Sequence, residues 1–589
     1  MDNRVTSARM PLEPIDLQGF CTAERNAEEH EWHELLRAPI EDLLSRDQGA
    51  EAEVSADGKA LCPRLPATFR EGEKVAVVSD DAGLRTQRLG DALRGARTLF
   101  VEGVALDGRL LLGGRCPIDG AVLVLPTGPL LDLHRWHQGI VQRWLGVQDL
   151  CARAQQLKVI LASSPADESS APLKPSAEER KALLGEALSS PDALTLVQGP
   201  PGCGKTVLAA DLIADALARG CSVGAWAFTN RACDGLLRTL HQRAPASASR
   251  ALRFGNPAGQ RRDLAPLGIG QATALSAMSG HVLGTTLFQV AKSTSRALEQ
   301  GVPPQPFDIA FVDEGSQATL PMLVAALAAS RQLVLLGDQR QLGPVLKSDP
   351  SPEAPELHQS AFEFLARRRP AHFLAETRRM RPPVCRIVSE AFYEGKLTSG
   401  VAWEPPSSPR TRAEPFLQLD PGLELLEVPA GESAGWSPER EVAAVLDVAR
   451  GWASEAGISL LAAAAEALGS PENEPHLLVS CFYRRQVLRL RKAFGEASGL
   501  AGLRIHVDTV ERNQGASCLV SLLSVADDGS KGATRHSLDW RLDPRRLNVA
   551  VTRGRLKAFV FSSRGFLDLA TGSENEVSRM AWRKIRGQA

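Results

Sequence analysis

Cysteine is scattered and unpaired in this sequence: ten residues are spread over 589 positions, and no two stand as Cys-x-x-Cys. The ligand spacing of common zinc and iron–sulfur sites is therefore missing, and the pattern suits a reducing, cytoplasmic compartment. No stretch reaches the ~18 uninterrupted apolar residues of a membrane-spanning helix. The opening MDNRVTSARMPLEP has no apolar core of the signal-peptide kind. The expectation is a cytoplasmic protein with no membrane partner. Basic excess is missing too: the net charge is −1. Binding to nucleic acid would have to rest on a channel of local positive charge, not on a basic tail. No strong internal repeat and no coiled-coil heptad is visible. His30-Glu31-Trp32-His33-Glu34 departs from the His-Glu-x-x-His order of a metalloprotease helix. Those histidines, with His134 and His137, read as packing or solvated side chains.

What is present is a globular composition, 43% apolar and 23% charged, too long for one core and sized for about three to five domains. Residues 1–65 are polar, a helical or irregular region with a helix expected around 26–44. Residues 66–130 change character. Short apolar runs at 74–78, 98–104, 109–112 and 121–125 are separated by Gly, Asp and Pro, the pattern of a small β-barrel-like module. Residues 131–175 follow as a helical segment and linker. The Leu, Trp and Ile spacing predicts one long helix over 131–157, and the Ser/Pro/Ala-rich 163–176 predicts a linker or exposed turn. From residue 194 apolar runs alternate with helical stretches, as buried parallel strands of an α/β fold do. One set lies at 194–197, 222–228, 282–285, 309–312 and 333–336; a second lies at 476–480, 505–509, 518–524 and 558–561. Two α/β units, 176–375 and 376–589, share one Gly-rich loop. One nucleotide held between them, with the second unit reaching across a cleft, is the expected arrangement.

That loop is Gly199-Pro200-Pro201-Gly202-Cys203-Gly204-Lys205-Thr206. It stands between an apolar run and a helical stretch, in the strand–loop–helix order of a P-loop. In such a loop backbone N–H groups and a helix N-terminus cradle phosphates. Lys205 would reach the β- and γ-phosphates and Thr206 would ligate Mg²⁺. Farther on, Phe307-Asp308-Ile309-Ala310-Phe311-Val312-Asp313-Glu314 is an apolar strand ending in paired carboxylates. Asp313 would hold Mg²⁺ through its hydration shell, and Glu314 would polarise a water for in-line attack. The run 333–336 leads into Gly337-Asp338-Gln339-Arg340-Gln341. The Gln341 amide can bond water and phosphate oxygen together and so report the γ-phosphate. All three elements are expected at the carboxyl edge of one sheet. Two arginine-bearing segments, 376–382 and 545–555, offer candidates for an arginine finger.

Together these residues resemble the superfamily 1 helicases of the Upf1/DNA2-like branch, over about 176–561. GPPGCGKT is similar to motif I, AFTNRACDGL (227–236) to motif Ia, and FVDEGSQA (311–318) to the DEASQ form of motif II with Gly315 in place of Ala. LGDQRQLGPV (336–345) is similar to motif III, and RRMRP (378–382) followed by SEAFYEGKL to the motif IV region. YRRQ (483–486) is similar to the YRxQ of the branch, VDTVERNQG (507–515) to motif V and RRLNVAVTRGR (545–555) to motif VI. The resemblance implies two tandem RecA-like P-loop NTPase domains, 1A and 2A, with an N-terminal 1B-like β-barrel on a helical stalk. It implies ATP and Mg²⁺ as cofactors and Lys205, Asp313, Glu314, Gln341, Arg379 and Arg553 as the catalytic set. It also implies single-stranded nucleic acid across the domain tops, met by Thr229 and Asn230 of motif Ia and Thr509 of motif V. Thr285, at the end of its apolar run, joins that set.

Three positions depart from the branch pattern. Glu179 stands where a Gln reads adenine; a carboxylate accepts from the N6 amine but cannot donate to N7, which relaxes the preference for ATP over GTP. Asn513 replaces an aromatic and Arg378 a Tyr. The implied activity is an ATP-dependent helicase or translocase tracking 5′→3′ as a monomer. Two alternatives are a nucleic-acid-stimulated ATPase that remodels protein–nucleic-acid complexes with little unwinding, and a nucleotide-dependent switch or scaffold in a defence or repair assembly. No nuclease or zinc-binding domain is visible, so a nuclease, repair or defence partner is expected as a separate chain. The Ala-, Arg-, Gly- and Leu-rich composition favours DNA slightly over RNA.

Overall fold

The apolar runs after residue 190 become buried parallel strands in the computed structural model. It describes residues 12–45, 48–63, 69, 74–81, 83–94, 96–104, 109–127, 131–145, 152–163, 170–173, 176–190, 193–254, 269–270, 279–301, 306–403, 415–430, 436–529 and 540–587. Among the described residues nine parallel strands form one sheet. Their order is Ile269–Gly270, Ala251–Phe254, Val282–Thr286, Val223–Ala227, Phe307–Asp313, Ser330–Gly337, Leu194–Gln198, Ala371–Leu374 and Ser170–Leu173. The five expected runs form its middle. Successive residues feed opposite cores, as strand geometry requires. Ile309 and Phe311 pack with the helices Ala177–Ser189, Lys205–Ala218 and Asn230–Arg243. Ala310 and Val312 pack with Leu287–Glu299 and Leu320–Ala328. Leu320–Ala328 (LPMLVAALA) is buried at every position. Its apolar character all round is explained by another layer: the helices Pro14–Arg37 and Leu131–Ile140 share its cluster.

A second parallel sheet, of five strands among the described residues, runs Leu423–Val428, Gly554–Ser563, Cys518–Ser524, Leu477–Cys481 and Ile505–Thr509. Four of these are the expected runs. The edge strand Leu423–Val428 carries two glutamates (LELLEV) and gave no buried-strand signal. Pro438–Trp452 and Arg484–Glu496 cover one face. Pro382–Phe392, Pro544–Val551, Arg564–Thr571 and Glu576–Ile585 cover the other.

The N-terminal portion contains a closed antiparallel barrel of Ala50–Val54, Ala60–Pro63, Leu110–Leu112, Arg97–Val104, Lys74–Ser79 and Ala121–Pro126, the last pairing back to the first. Four strands match the expected runs. The first two come from the stretch before residue 66, expected to be helical or irregular; they close the cylinder and leave no free edge. Three further differences have local causes. The helix expected around 26–44 is two helices, Pro14–Arg37 and Ile40–Ser45. Ala38 between them is extended, as a residue before proline tends to be. The helix expected over 131–157 is not one α-helix. Leu131–Ile140 passes into a π-helical turn, Val141–Leu145, which buries Val141, Trp144 and Leu145. An α-helix resumes as Ala152–Ala162, and 146–151 lie outside the described residues. Within the expected linker, Ser170–Leu173 is an edge strand parallel to Ala371–Leu374; Pro172 is tolerated there because an edge has N–H groups to spare.

The first helix is clasped to the loop that follows Gln341. Glu24, 3% exposed, accepts the backbone N–H groups of Lys347 and Ser348, each at 2.9 Å, and the Ser348 hydroxyl at 2.5 Å. Lys347 Nζ reaches Glu31 at 2.7 Å. Glu24→Ala strips both amides of their acceptor, at a cost of about 1–3 kcal/mol. Hydrogen exchange should accelerate at the Lys347 and Ser348 amides and the melting temperature should fall; unchanged exchange at those two amides would show that the clasp does not hold the loop.

Candidate active site

Every strand of the first sheet points the same way, so its sequence motifs emerge at one edge. After Leu194–Gln198 the chain turns through Gly202 and Gly204, at φ 78° and 83°, left-handed values that favour glycine. A Cβ on Gly202 would lie 2.4 Å from Arg379 Cβ and 2.6 Å from Thr377 Oγ1, so the close approach also requires glycine. Lys205 then opens the helix Lys205–Ala218. Its Nζ donates to the Gly199 carbonyl, and Thr206 Oγ1 donates to Asp313 Oδ2 at 2.6 Å. Asp313 is 3% exposed, and its Oδ1 accepts the Glu314 backbone N–H at 2.9 Å. Glu314 sits at φ 55°, a strained conformation for a side chain other than glycine. Its Oε2 accepts from Gln317 Nε2 at 3.1 Å. Burial, and then the neighbouring Asp313 charge, push its carboxyl up to about 7, against the opposing pull of Lys205, Arg231 and Arg553.

The second sheet meets this edge with its amino end. Arg553 lies between the helix Pro544–Val551 and the strand Gly554–Ser563, and is 1% exposed. Its guanidinium donates to the carbonyls of Val549 (2.8 Å) and Ala516 (3.1 Å) and to the Thr552 hydroxyl (3.2 Å). Arg379 Nη1 donates to the Thr552 carbonyl at 3.2 Å. Among the described residues neither arginine has a carboxylate within ion-pair distance. Burial, and then Arg379 itself, push Arg553 down to about 9. Arg379 is lowered by burial and then by Arg555. Gly515 closes the far side: a Cβ there would stand 3.7 Å from Glu314 Oε1. The fold thus gathers Lys205, Thr206, Asp313, Glu314, Arg379 and Arg553. Gln341 joins them through Asp338, which accepts its Nε2 at 2.7 Å.

The expected strand contacts fare unequally. Thr229 is exposed at a helix start, its hydroxyl accepting the Ala232 N–H at 3.1 Å. Asn230 Oδ1 accepts from Arg253 at 2.7 Å, and Arg253 in turn pairs with buried Asp234 at 2.7 Å. Thr509 ends the strand Ile505–Thr509 and is 8% exposed. Thr285 is a correction: it is fully buried and donates to the Phe254 carbonyl at 3.0 Å, so its hydroxyl cannot reach a ligand on the surface. The motifs also passed over Thr377, whose hydroxyl donates to the Pro201 carbonyl at 2.8 Å, and Asp338, Tyr393 and Asn548. The first lay next to a flagged arginine and the others inside flagged segments, but residue type alone singled out none.

The comparisons with known proteins agree on one lineage. A family model described as "AAA domain" matches residues 176–405, and another of the same description matches 357–565. "DNA replication ATP-dependent helicase/nuclease dna2" of Schizosaccharomyces pombe is 25% identical over 405 residues, 66% of this chain and 27% of that protein. "DNA replication ATP-dependent helicase/nuclease DNA2" of Gallus gallus is 26% identical over 419 residues, 68% of this chain and 38% of that protein. "Regulator of nonsense transcripts 1 homolog" of Drosophila melanogaster is 27% identical over 262 residues, 42% of this chain and 20% of that protein. The chain is similar to the Upf1/DNA2-like branch of the superfamily 1 helicases over the 66% and 68% of its length that the two DNA2 relatives match. It spans less than half the length of these curated relatives. A solved structure, "Crystal structure of Arterivirus nonstructural protein 10 (helicase)", covers 92% of this chain and 82% of its own at 14% identity, with a TM-score of 0.40, too loose a superposition to carry an inference.

The two parallel sheets fit the RecA-like domains of such helicases, and the likeness implies a bound nucleotide with a metal ion in general. The branch departures have physical readings. Gly315 fits where Ala would not: its Cβ would lie 2.5 Å from Leu335 Cδ1 and 3.0 Å from the Leu336 carbonyl. Asn513, 1% exposed, spends its amide on Ser480 Oγ (3.0 Å) and the carbonyls of Val479 (3.3 Å) and Asp508 (3.4 Å), so it ties strand ends together where an aromatic would pack. The Arg378 side chain is 74% exposed, 3.9 Å from Glu376. Gly315→Ala should overpack this turn at a cost of about 1–3 kcal/mol, measured as a lower melting temperature; an unchanged or higher value would show that the turn yields freely. Thr285→Val should lower thermal stability while leaving the affinity for a fluorescent single strand unchanged, and a loss of affinity at constant stability would return Thr285 to the strand path.

Proposed function

We propose that this chain is an ATP-dependent helicase or translocase on single-stranded nucleic acid, with DNA the preferred strand, 5′→3′ the direction and the monomer the active unit. One observation carries the reading: the Thr206–Asp313–Glu314 edge of one sheet faces buried Arg553 and half-buried Arg379, two guanidiniums whose acceptors are carbonyls and a hydroxyl. Such a seam lacks an anion of phosphate charge.

The residues fit ATP and Mg²⁺. The Thr206 hydroxyl and the Asp313 carboxylate, 2.6 Å apart, form the hard oxygen pair that a magnesium ion takes. Above them, the left-handed loop and the N-terminus of Lys205–Ala218 suit phosphates. Bound ATP–Mg²⁺ supplies the scissile γ-phosphoryl group and the charge neutralisation at its oxygens. In this reading Lys205 holds the β- and γ-phosphates, Glu314 takes the proton of the attacking water, and Gln341 orients water and phosphate oxygen. Arg379 and Arg553 neutralise the charge that spreads in the transition state. Glu179 offers an acceptor to the adenine N6 amine, supported by its Oε2, which is buried without a hydrogen-bond partner among the described residues.

Thr229, Asn230 and Thr509 hold sugar–phosphate and read no bases. The barrel serves as the 1B module, now spanning about 50–126, on a stalk of Pro14–Arg37, Leu131–Ile140 and Ala152–Ala162. Domain 1A is 176–375 and 2A runs from 376. Phosphate binding draws the two domains together and product release returns the arginines to mutual repulsion, so one turnover opens and closes the grip on the strand. A nuclease, repair or defence partner is a separate chain.

The test is ATP hydrolysis by wild type and Lys205→Ala with single-stranded DNA, single-stranded RNA or neither, followed by unwinding of duplexes with 5′ or 3′ tails. DNA should stimulate wild type most, Lys205→Ala should lose about 100-fold or more in kcat, and only 5′-tailed duplexes should open. Stimulation without unwinding or translocation would replace the helicase reading with remodelling. No stimulation by either polymer would replace it with a nucleotide switch.

A further inference from the structure

Behind Gln341 a chain of buried polar side chains crosses from one RecA-like domain to the other, and the scheme above does not use it. Asp338 follows the strand Ser330–Gly337 and is fully buried. Its Oδ1 accepts the Arg340 backbone N–H at 3.1 Å. Its Oδ2 accepts both Gln341 Nε2 and the Tyr393 hydroxyl, each at 2.7 Å. The Tyr393 oxygen accepts in turn from Asn548 Nδ2 at 2.9 Å, and the same amide nitrogen donates to the Arg340 carbonyl at 2.6 Å. Tyr393 caps the helix Pro382–Phe392. Asn548 lies in Pro544–Val551, and its carbonyl accepts the Thr552 hydroxyl at 2.6 Å. Thr552 is the residue whose carbonyl holds Arg379 and whose hydroxyl meets Arg553.

The chemistry of these groups settles one orientation. An ionised carboxylate only accepts, so Gln341 must turn its NH₂ toward Asp338 and its Oε1 away. An amide free to flip would present oxygen and nitrogen to the nucleotide interchangeably; this one cannot. The Tyr393 hydroxyl has one proton, which goes to Asp338, so it must accept from Asn548. Each link thereby fixes the sense of the next. Bonds to a charged acceptor are the strong, directional ones, and none of the four side chains is more than 8% exposed, so water does not compete for them.

We propose that Tyr393 and Asn548 are positioning residues for hydrolysis. Acting through Asp338, they hold the Gln341 amide in its working orientation and tie it to the helix that leads into Arg553. Contact with the γ-phosphate on one domain and arginine placement on the other therefore change together. The proposal rests on the ATPase reading above and adds to it the device that couples its two halves.

The test is DNA-stimulated ATP turnover by Tyr393→Phe, Gln341→Ala and the double variant, with the melting temperature of each. Tyr393→Phe keeps the ring and leaves Asp338 two donors. It should lower kcat about tenfold, the loss of one hydrogen bond to a charged group, with KM for ATP within about twofold. Because Tyr393 acts through Gln341, the double variant should be no slower than Gln341→Ala alone. Asn548→Ala, tested the same way, supplies the result from the other end of the chain if Tyr393→Phe folds poorly. Losses that multiply in the double variant, or wild-type turnover by Tyr393→Phe, would overturn the proposal and leave the ATPase reading standing. A wild-type chain that hydrolyses no ATP would overturn that reading and the proposal with it.

Discussion

Arg379 and Arg553 lie together in the seam between the two parallel sheets, and the protein gives them carbonyl oxygens where a carboxylate would be expected. Burial strips their hydration; Arg379 then helps push Arg553 down to about 9, and Arg555 lowers Arg379. Like charges brought out of water are an unfavourable arrangement unless an anion completes it. The surrounding architecture maintains this arrangement. Val549 and Ala516 hold Arg553 through their carbonyls, and Arg545 bridges the sheets to Glu363 at 3.2 Å. The Arg381 N–H bonds to the Arg555 carbonyl at 3.0 Å. With the carboxylates of Asp313 and Glu314 opposite, the seam separates charge in the pattern that a metal–triphosphate complex matches.

The same logic reaches the N-terminal barrel. The helix Pro14–Arg37 sends Trp32, Leu35 and Leu36 at its far end into the apolar cluster that also holds barrel residues Ala76, Val78, Leu123 and Leu125. Its middle, through Glu24, grips the loop at 347–348 that continues from Gln341. One helix therefore joins the cluster that holds the barrel residues and grips the segment that follows Gln341. A helix of 24 residues carries a small shift at one end to the other without needing a flexible path.

How much of this could be read from the chain depends on how local the determinant is. The P-loop, the Asp313–Glu314 pair and the central strands were legible because a few contiguous residues carry the whole signal. The first barrel strand, Ala50-Glu51-Ala52-Glu53-Val54, alternates properly, but its small apolar residues were too weak a signal beside the polar region around them. Leu423–Val428 hid for the related reason that an edge strand keeps charged side chains. Thr285 misled because the end of a strand looks the same in sequence whether it opens on solvent or, as here, lies under the Phe254 carbonyl. Tyr393 and Asn548 carried no warning, since one is a single polar residue just past a helix end and the other a single polar residue within a helix, and each acquires meaning from its partner.

The sequence by itself determined the chemical parts: a phosphate-cradling loop, a carboxylate-tipped strand, a glutamine after the next strand, and arginines in two later segments. Those parts are set by residue type and by neighbours a few positions away. Only the tertiary structure decided that Arg379 and Arg553 meet at Thr552, that the Gln341 amide is held by Asp338, and that Thr285 is interior. The reason is distance along the chain: Thr206 and Asp313 are 107 positions apart, Arg379 and Thr552 are 173, and Asn548 and Arg340 are 208. Contacts of that span depend on strand order within a sheet and on how the two sheets pack, properties that no local pattern records.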